Sequence, residues 1–248
     1  MFPHESRKNG HRYKDKFFPV DPHYSDSSAV VIIPDGFHEV DNAVDLIVHF
    51  HGWNNDVLKV MEKFSMVQQL VASNKNAILV LAQGPYRASD SHGGKIEDKN
   101  GLKNFIQEII QILQSEQRIE LVQIGKIIIS AHSGGYRQAI FAVARGGLQE
   151  NIAEVFLFDA FYRETHRLIP WLQLGRSHRL RSIYTEHLAP EHQDFVKLLT
   201  KTQLKYSQYF LKSEQIILCP TNVPHNKVIQ GTFQKWLEGS CLSDRKSQ

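Results

Sequence analysis

The sequence predicts an α/β fold in a single domain, with a mostly parallel central sheet and helices on both faces. Three observations carry that expectation. Short β-branched apolar runs alternate with longer amphipathic segments along the chain. The runs are continuous rather than alternating, as strands covered on both faces should be. No repeat, low-complexity tract or break in composition marks a second domain within the 248 residues.

Strands are expected at 29–34, 46–50, 77–82, 126–130, 155–158, 182–185 and 216–219. A helix over 55–73 opens on Asn54, Asn55 and Asp56 as capping candidates. It carries Val57, Val60, Met61, Phe64, Val67 and Leu70 at helical spacing. A second helix over 100–115 repeats the pattern with Phe105, Ile106, Ile109, Ile110 and Leu113. A short helix should follow Ser133, and the last should span 227–237. Two segments exceed the minimal pattern: a polar loop over 84–99 and a helical insertion over 161–181 around Trp171. Both follow strand C-termini, where open α/β sheets bind ligands, and are candidates for cleft walls or a lid. The chain then divides into a basic, aromatic and partly ordered segment over 1–28, the domain over 29–238 and a polar tail over 239–248.

Composition narrows the class. With 42% hydrophobic and 22% charged residues, disordered and collagen-like readings are excluded. A formal charge of +3, evenly spread, gives no ground for nucleic-acid binding. Cys219 ends an apolar run and reads as a core thiol, while Cys241 lies in the tail, so there is no disulfide framework. No apolar stretch is long enough to span a bilayer. The basic N-terminus lacks the apolar core of a secretory signal, which makes cytoplasmic the default location.

The chemistry is concentrated in Lys126–Phe141. An apolar strand ends in Ser130-Ala131-His132-Ser133-Gly134-Gly135 and passes into a plausible helix beginning at Tyr136. A serine hydroxyl needs a base to take its proton and donors to hold the oxyanion. At a tight strand-to-helix turn it also needs small residues two positions to either side, which Ala131 and Gly135 supply. The helix N-terminus then aims free N–H groups at the reacting centre.

This segment resembles the nucleophile elbow Gly-x-Ser-x-Gly of the α/β-hydrolase superfamily, with Ala131 in place of the first glycine. The resemblance runs from about Ala29 to Leu237 and names no subfamily. It implies a single-domain α/β-hydrolase in which Ser133 is the nucleophile. The helical insertion would follow the sixth strand as the superfamily counts them. Leu46–Trp53 is an apolar strand running into His51-Gly52, like the superfamily's oxyanion loop. The implied donors are the amides of Gly134 and Trp53, with Gly52 as the alternative to Trp53.

His49 and His51 share one strand face and would suit a metal, but Trp53 and Asn54 stand where further ligands would be needed. No metal or cofactor is expected.

The superfamily order of nucleophile, acid, histidine selects His225 as the base. It sits between the last apolar strand and the last helix, whereas His132 packs beside the elbow. His166, His178, His187 and His192 lie in polar helical stretches and read as surface residues. Two carboxylates compete as the acid. Asp159 ends the run 155–158 and Glu186 ends the run 182–185, the superfamily's commoner place. Asp159 is preferred, because a carboxylate abutting so apolar a strand needs a partner such as a histidine N–H.

Arg87, Arg137, Arg163 and Lys95, with Tyr136, Tyr162 and His51, should rim the cleft and favour a carboxylate-bearing or sugar-like substrate over a long-chain lipid. The expected activity is cleavage of a small-molecule ester or amide through an acyl-enzyme. The alternatives are an acyltransferase using the same residues and a non-catalytic binding protein of this fold.

Overall fold

A computed structural model describes residues 1–120, 123–210 and 213–246. Nine strands occur among them: β1 (His11–Tyr13), β2 (Lys16–Phe18), β3 (Ala29–Ile32), β4 (Ala43–Phe50), β5 (Ile78–Ala82), β6 (Gln123–His132), β7 (Ile152–Phe158), β8 (Arg179–Tyr184) and β9 (Ile216–Pro220). The first two pair as a small antiparallel hairpin. The other seven form one sheet in the order β3-β5-β4-β6-β7-β8-β9. Every neighbouring pair in it is parallel except β3 with β5.

Helices cover both faces, which is why the central strands read as unbroken apolar runs. They are α1 (Val20–His23, a single turn), α2 (Val57–Lys63), α3 (Met66–Ala72), α4 (Gly101–Ser115), α5 (Tyr136–Arg145), α6 (Ile169–Leu172), α7 (Ala189–Lys201) and α8 (Thr232–Glu238). Alternate residues of β4 divide between the two layers. Leu46, Val48 and Phe50 belong to the core layer that includes Ile106, Ile140 and Phe195 of α4, α5 and α7. Ile47 faces Val60, Leu70 and Trp236 of α2, α3 and α8.

The helix expected over 55–73 is two helices. Ser65 adopts the left-handed region at φ 49° between them, and Asp56 caps the first by accepting the Lys59 N–H at 2.9 Å. Strand β8 begins at Arg179, three residues before the expected start. Its arginines belong inside the sheet, because the fully buried Glu154 of β7 accepts from Arg179 at 2.5 Å and from Arg181 at 2.9 Å. Apolarity alone could not find that stretch.

The insertion over 161–181 is slighter than expected, one 3₁₀ turn (Thr165–Leu168) followed by α6. Trp171 is buried and donates to the Ile152 carbonyl at 3.0 Å, at the N-terminal end of β7, so it roofs no cleft.

The first 28 residues wrap onto the domain with Met1, Phe2, Phe18 and Tyr24 buried. Within the expected tail, Leu242 is buried and Asp244 pairs with Lys75 at 2.7 Å; residues 247–248 of that tail lie outside the described residues. Among the described residues no helix is long and apolar enough to cross a membrane.

Candidate active site

The elbow forms where β6 meets α5. His132 is extended and Ser133 takes the left-handed region at φ 52°. Gly134 and Gly135 complete a 3₁₀ turn, and α5 starts at Tyr136. Such a conformation costs a non-glycine residue ~1–3 kcal/mol, and the surroundings enforce it. A Cβ on Gly135 would lie 2.4 Å from the Phe50 carbonyl oxygen, and one on Gly134 would lie 2.2 Å from Trp53 Cδ1. Bulk at either position would push the serine off the end of β4.

The loop after β4 passes directly over the elbow. A Cβ on Gly52 would stand 2.8 Å from Ser133 Cβ and 3.4 Å from the Gly134 amide nitrogen. His51 holds this loop rather than rimming the cleft. Its ring is buried, Nδ1 donates to the Gly52 carbonyl at 2.8 Å, and Nε2 accepts from the Gly84 amide at 3.0 Å and from Gln83 at 2.9 Å. The substrate contact expected of His51 is therefore replaced by a structural one. His49 is also buried, bonded through Nδ1 to Ser130 Oγ at 2.9 Å, and its burial holds the imidazole pKa down to about 3.

Asp159 and His225 come together across the C-terminal edge of the sheet. Asp159 follows β7 in the left-handed region at φ 48° and is fully buried. Its Oδ2 lies 2.5 Å from His225 Nδ1 and 2.8 Å from Thr185 Oγ1, while Oδ1 accepts the Thr185 amide at 2.8 Å. Burial alone would raise its pKa. The hydrogen bonds from His225 and Thr185 outweigh that effect and hold the carboxyl below the usual carboxylate range.

Glu186, the competing acid, lies exposed in the 3₁₀ turn Glu186–Leu188, and its side chain makes no hydrogen bond with His225. His225 itself opens the 3₁₀ turn His225–Lys227 beyond β9.

His132 fixes that turn from below. Its ring packs on the His225 ring at 4.7 Å between centroids, and Nε2 lies 3.0 Å from the His225 carbonyl, to which it donates. Burial lowers the His132 pKa to about 4, so it stays neutral and keeps that role.

A cleft of about 510 Å³ opens above Ser133. Of the residues expected to rim it, Tyr136, Arg137, Tyr162 and Arg163 do so, and Gly134 and Trp53 of the expected oxyanion site line it as well. Arg87 turns away to Asp56 at 2.7 Å, and Lys95 lies at a separate groove beside Met1.

The rim is also less cationic than expected. Arg137 is held by both oxygens of Glu97 at 2.7 Å, and Arg7 is held by Asp90. Among the described residues only Arg163 on this rim has no carboxylate partner, so the charge argument for an anionic substrate falls away. Arg7, Tyr13, Ser91 and His92 line the same cleft without having been singled out. The aromatic and basic composition of residues 1–28 was the available signal. Tyr13 meets Trp53 edge-on at 4.9 Å, and Trp53 Nε1 donates to Ser91 Oγ at 2.7 Å.

Two of the four histidines read as surface residues are buried. His178 is buried against the Ile152 carbonyl, and His192 is buried between Ser182, Leu188 and the Tyr184 ring. His187 is exposed, as expected, and stands beside Asp159, its Nδ1 3.8 Å from Oδ2.

Among the described residues, Asp159, His187 and His225 are the group that could hold a metal, their ligand atoms lying within 4.8 Å of one another. A tetrahedral ion with bonds of ~2.0 Å spaces its ligand atoms about 3.3 Å apart. The direct 2.5 Å contact between Asp159 and His225 would have to open to admit one.

No protein-family model and no curated protein matches this chain. Solved structures do. FphF, a fluorophosphonate-binding serine hydrolase of Staphylococcus aureus, superposes with a TM-score of 0.54 at 12% identity, covering 88% of this chain and 93% of its own. A ferulic acid esterase gives 0.54 at 10% identity over 85% and 90%. An acetyl xylan esterase from Aspergillus awamori gives 0.53 at 13% identity over 86% and 94%. At such identities the likeness is one of fold, and the chain has the α/β-hydrolase fold.

Proposed function

We propose that this protein is a serine hydrolase that cleaves a small-molecule carboxylic ester, with Ser133 as nucleophile, His225 as base and Asp159 as the acid that orients it. The observation that carries the reading is the contact of the buried Asp159 with the accessible His225, reached from the same sheet edge as a serine in the left-handed turn. An ionised, fully buried carboxylate that accepts from Nδ1 leaves Nε2 as the basic nitrogen, the tautomer a serine proton requires. The serine hydrolases and esterases among the structures of like fold support an ester as substrate.

In this reading Ser133 attacks the carbonyl carbon as its proton passes to His225 Nε2. The resulting oxyanion lies between the amides of Gly134 and Trp53. His225 gives the proton to the departing alcohol, and water then releases the acid from Ser133. Aromatic walls at Tyr13, Trp53, Tyr136 and Tyr162 suit a compact, ring-bearing or sugar-like ester better than a long acyl chain.

The test is labelling by a fluorophosphonate and hydrolysis of short p-nitrophenyl esters. Both should be present in the wild type and absent from a folded Ser133→Ala variant. Labelling that persists in that variant would overturn the assignment.

A further inference from the structure

Beside the acid and base lies a second set of polar groups whose protons can be counted. An ionised Asp159 only accepts, so Thr185 Oγ1, 2.8 Å from Oδ2, directs its single proton there. Thr185 Oγ1 is also 2.6 Å from His187 Nδ1 and has no proton left to give. His187 Nδ1 must therefore carry the proton of that bond. A neutral His187 is then bare at Nε2, which lies 3.1 Å from the Tyr162 hydroxyl. Tyr162 has one proton and gives it to His187, which leaves only oxygen lone pairs turned towards the cleft. Burial raises the Tyr162 phenol pKa, which keeps it neutral. Tyr162 and Ser133 line the same cleft.

An acyl group on Ser133 is removed by a water that meets two demands. One hydrogen must point at the base, and the second needs an acceptor that keeps the oxygen lone pair aimed at the acyl carbon. We propose that Tyr162 is that acceptor, a catalytic residue for deacylation, and that His187 is the positioning residue that turns the Tyr162 proton out of the way.

The inference rests on Ser133 being the acyl-carrying nucleophile. The water oxygen bonds to the acyl carbon, and one water proton moves to His225 Nε2. The bond from that carbon to Ser133 Oγ then breaks as Oγ recovers the proton. The second water proton stays on the product acid, bonded to Tyr162 throughout. Nothing is oxidised or reduced. An alcohol has no second hydrogen to give Tyr162, so the arrangement favours water over an alcohol as the acyl acceptor.

Stopped-flow turnover of p-nitrophenyl acetate at neutral pH, with intact-protein mass measurement, tests this. Tyr162→Phe should retain rapid acylation and fluorophosphonate labelling while deacylation slows about ten-fold, the cost of one neutral hydrogen bond in the transition state. The variant should then accumulate more acetyl-enzyme at steady state than the wild type. His187→Ala should slow the same step and add nothing in the Tyr162→Phe background.

Unchanged deacylation in Tyr162→Phe, or acylation and deacylation falling together, overturns the role of Tyr162. Additive effects of the two substitutions overturn the coupling through His187. If Tyr162→Phe fails to fold, the same split in His187→Ala decides. Acetylation that survives Ser133→Ala would instead sink the hydrolase reading itself, so the two failures are distinct.

Discussion

Asp159 Oδ2 and His225 Nδ1 meet at 2.5 Å, one side chain fully buried and the other 39% exposed. The pair joins the end of β7 to the turn after β9, strands separated in the sheet by β8. Burial on one side and access on the other suit a base that must meet substrate while its partner never meets water.

Asp159→Asn preserves the shape but favours the wrong imidazole tautomer, so kcat should fall by roughly 10³–10⁴, the scale of the corresponding serine-protease change. Glu186→Gln should stay near wild type. Steady-state kinetics on p-nitrophenyl acetate separates them, and a crippled Glu186→Gln enzyme would reverse the assignment.

Gly52→Ala places a methyl 2.8 Å from Ser133 Cβ, so the loop must shift away from the elbow. Misplacing one oxyanion donor costs about 10²–10³ in kcat. The variant should fold, keep its thermal midpoint close to wild type and lose activity on that scale. Wild-type kcat would remove the 52–53 loop from the oxyanion site.

Buried neutral histidines make the fold acid-labile. Burial lowers His49 to about 3 and His132 and His192 each to about 4, against 6.5 when exposed. Below pH 6.5 the unfolded chain binds protons that the folded chain refuses, so stability falls as pH drops from about 6.5 towards 4. Each group contributes up to roughly 3 kcal/mol of that loss. Urea unfolding at several pH values across this window should show a declining midpoint. His192→Asn should flatten the slope, and a pH-independent midpoint would contradict the neutral burial of all three.

Glu154 is fully buried between Arg179 and Arg181, and its Oε1 also accepts the Cys241 amide at 2.6 Å. Removing the carboxylate strands the buried Arg181, which should cost about 3–5 kcal/mol. Glu154→Ala measured by chemical denaturation should show that loss. Asp194→Ala, which breaks an exposed pair with Lys197, should show almost none.

The parallel sheet, the tight turn at Ser133 and the pairing of Asp159 with a donor were legible because each depends on local chemistry. A tight turn needs Ala131 and Gly135, and a carboxylate at the end of 155–158 needs a donor. The start of β8 was not legible, since Arg179 and Arg181 read as surface until Glu154 of another strand is seen between them. Helix 55–73 read as one piece because its apolar spacing continues through Ser65, where only the backbone turns. Arg87 and Arg137 looked like a cationic rim, and Asp56 and Glu97, distant in sequence, neutralise them.

By itself the sequence determined the layered fold, the turn that carries Ser133 and the short set of residues proposed to serve it. Those follow from periodicity, steric limits at a turn and the cost of an unpaired buried charge, all of which act within a few residues. Only the tertiary structure set Asp159, and not Glu186, against His225, took His51 out of the cleft and brought in Tyr13 and Arg7. It also linked Tyr162 to Asp159 through His187 and Thr185. These outcomes depend on which strand ends lie side by side and on where each proton goes once they do, and neither is written in any one segment of the chain.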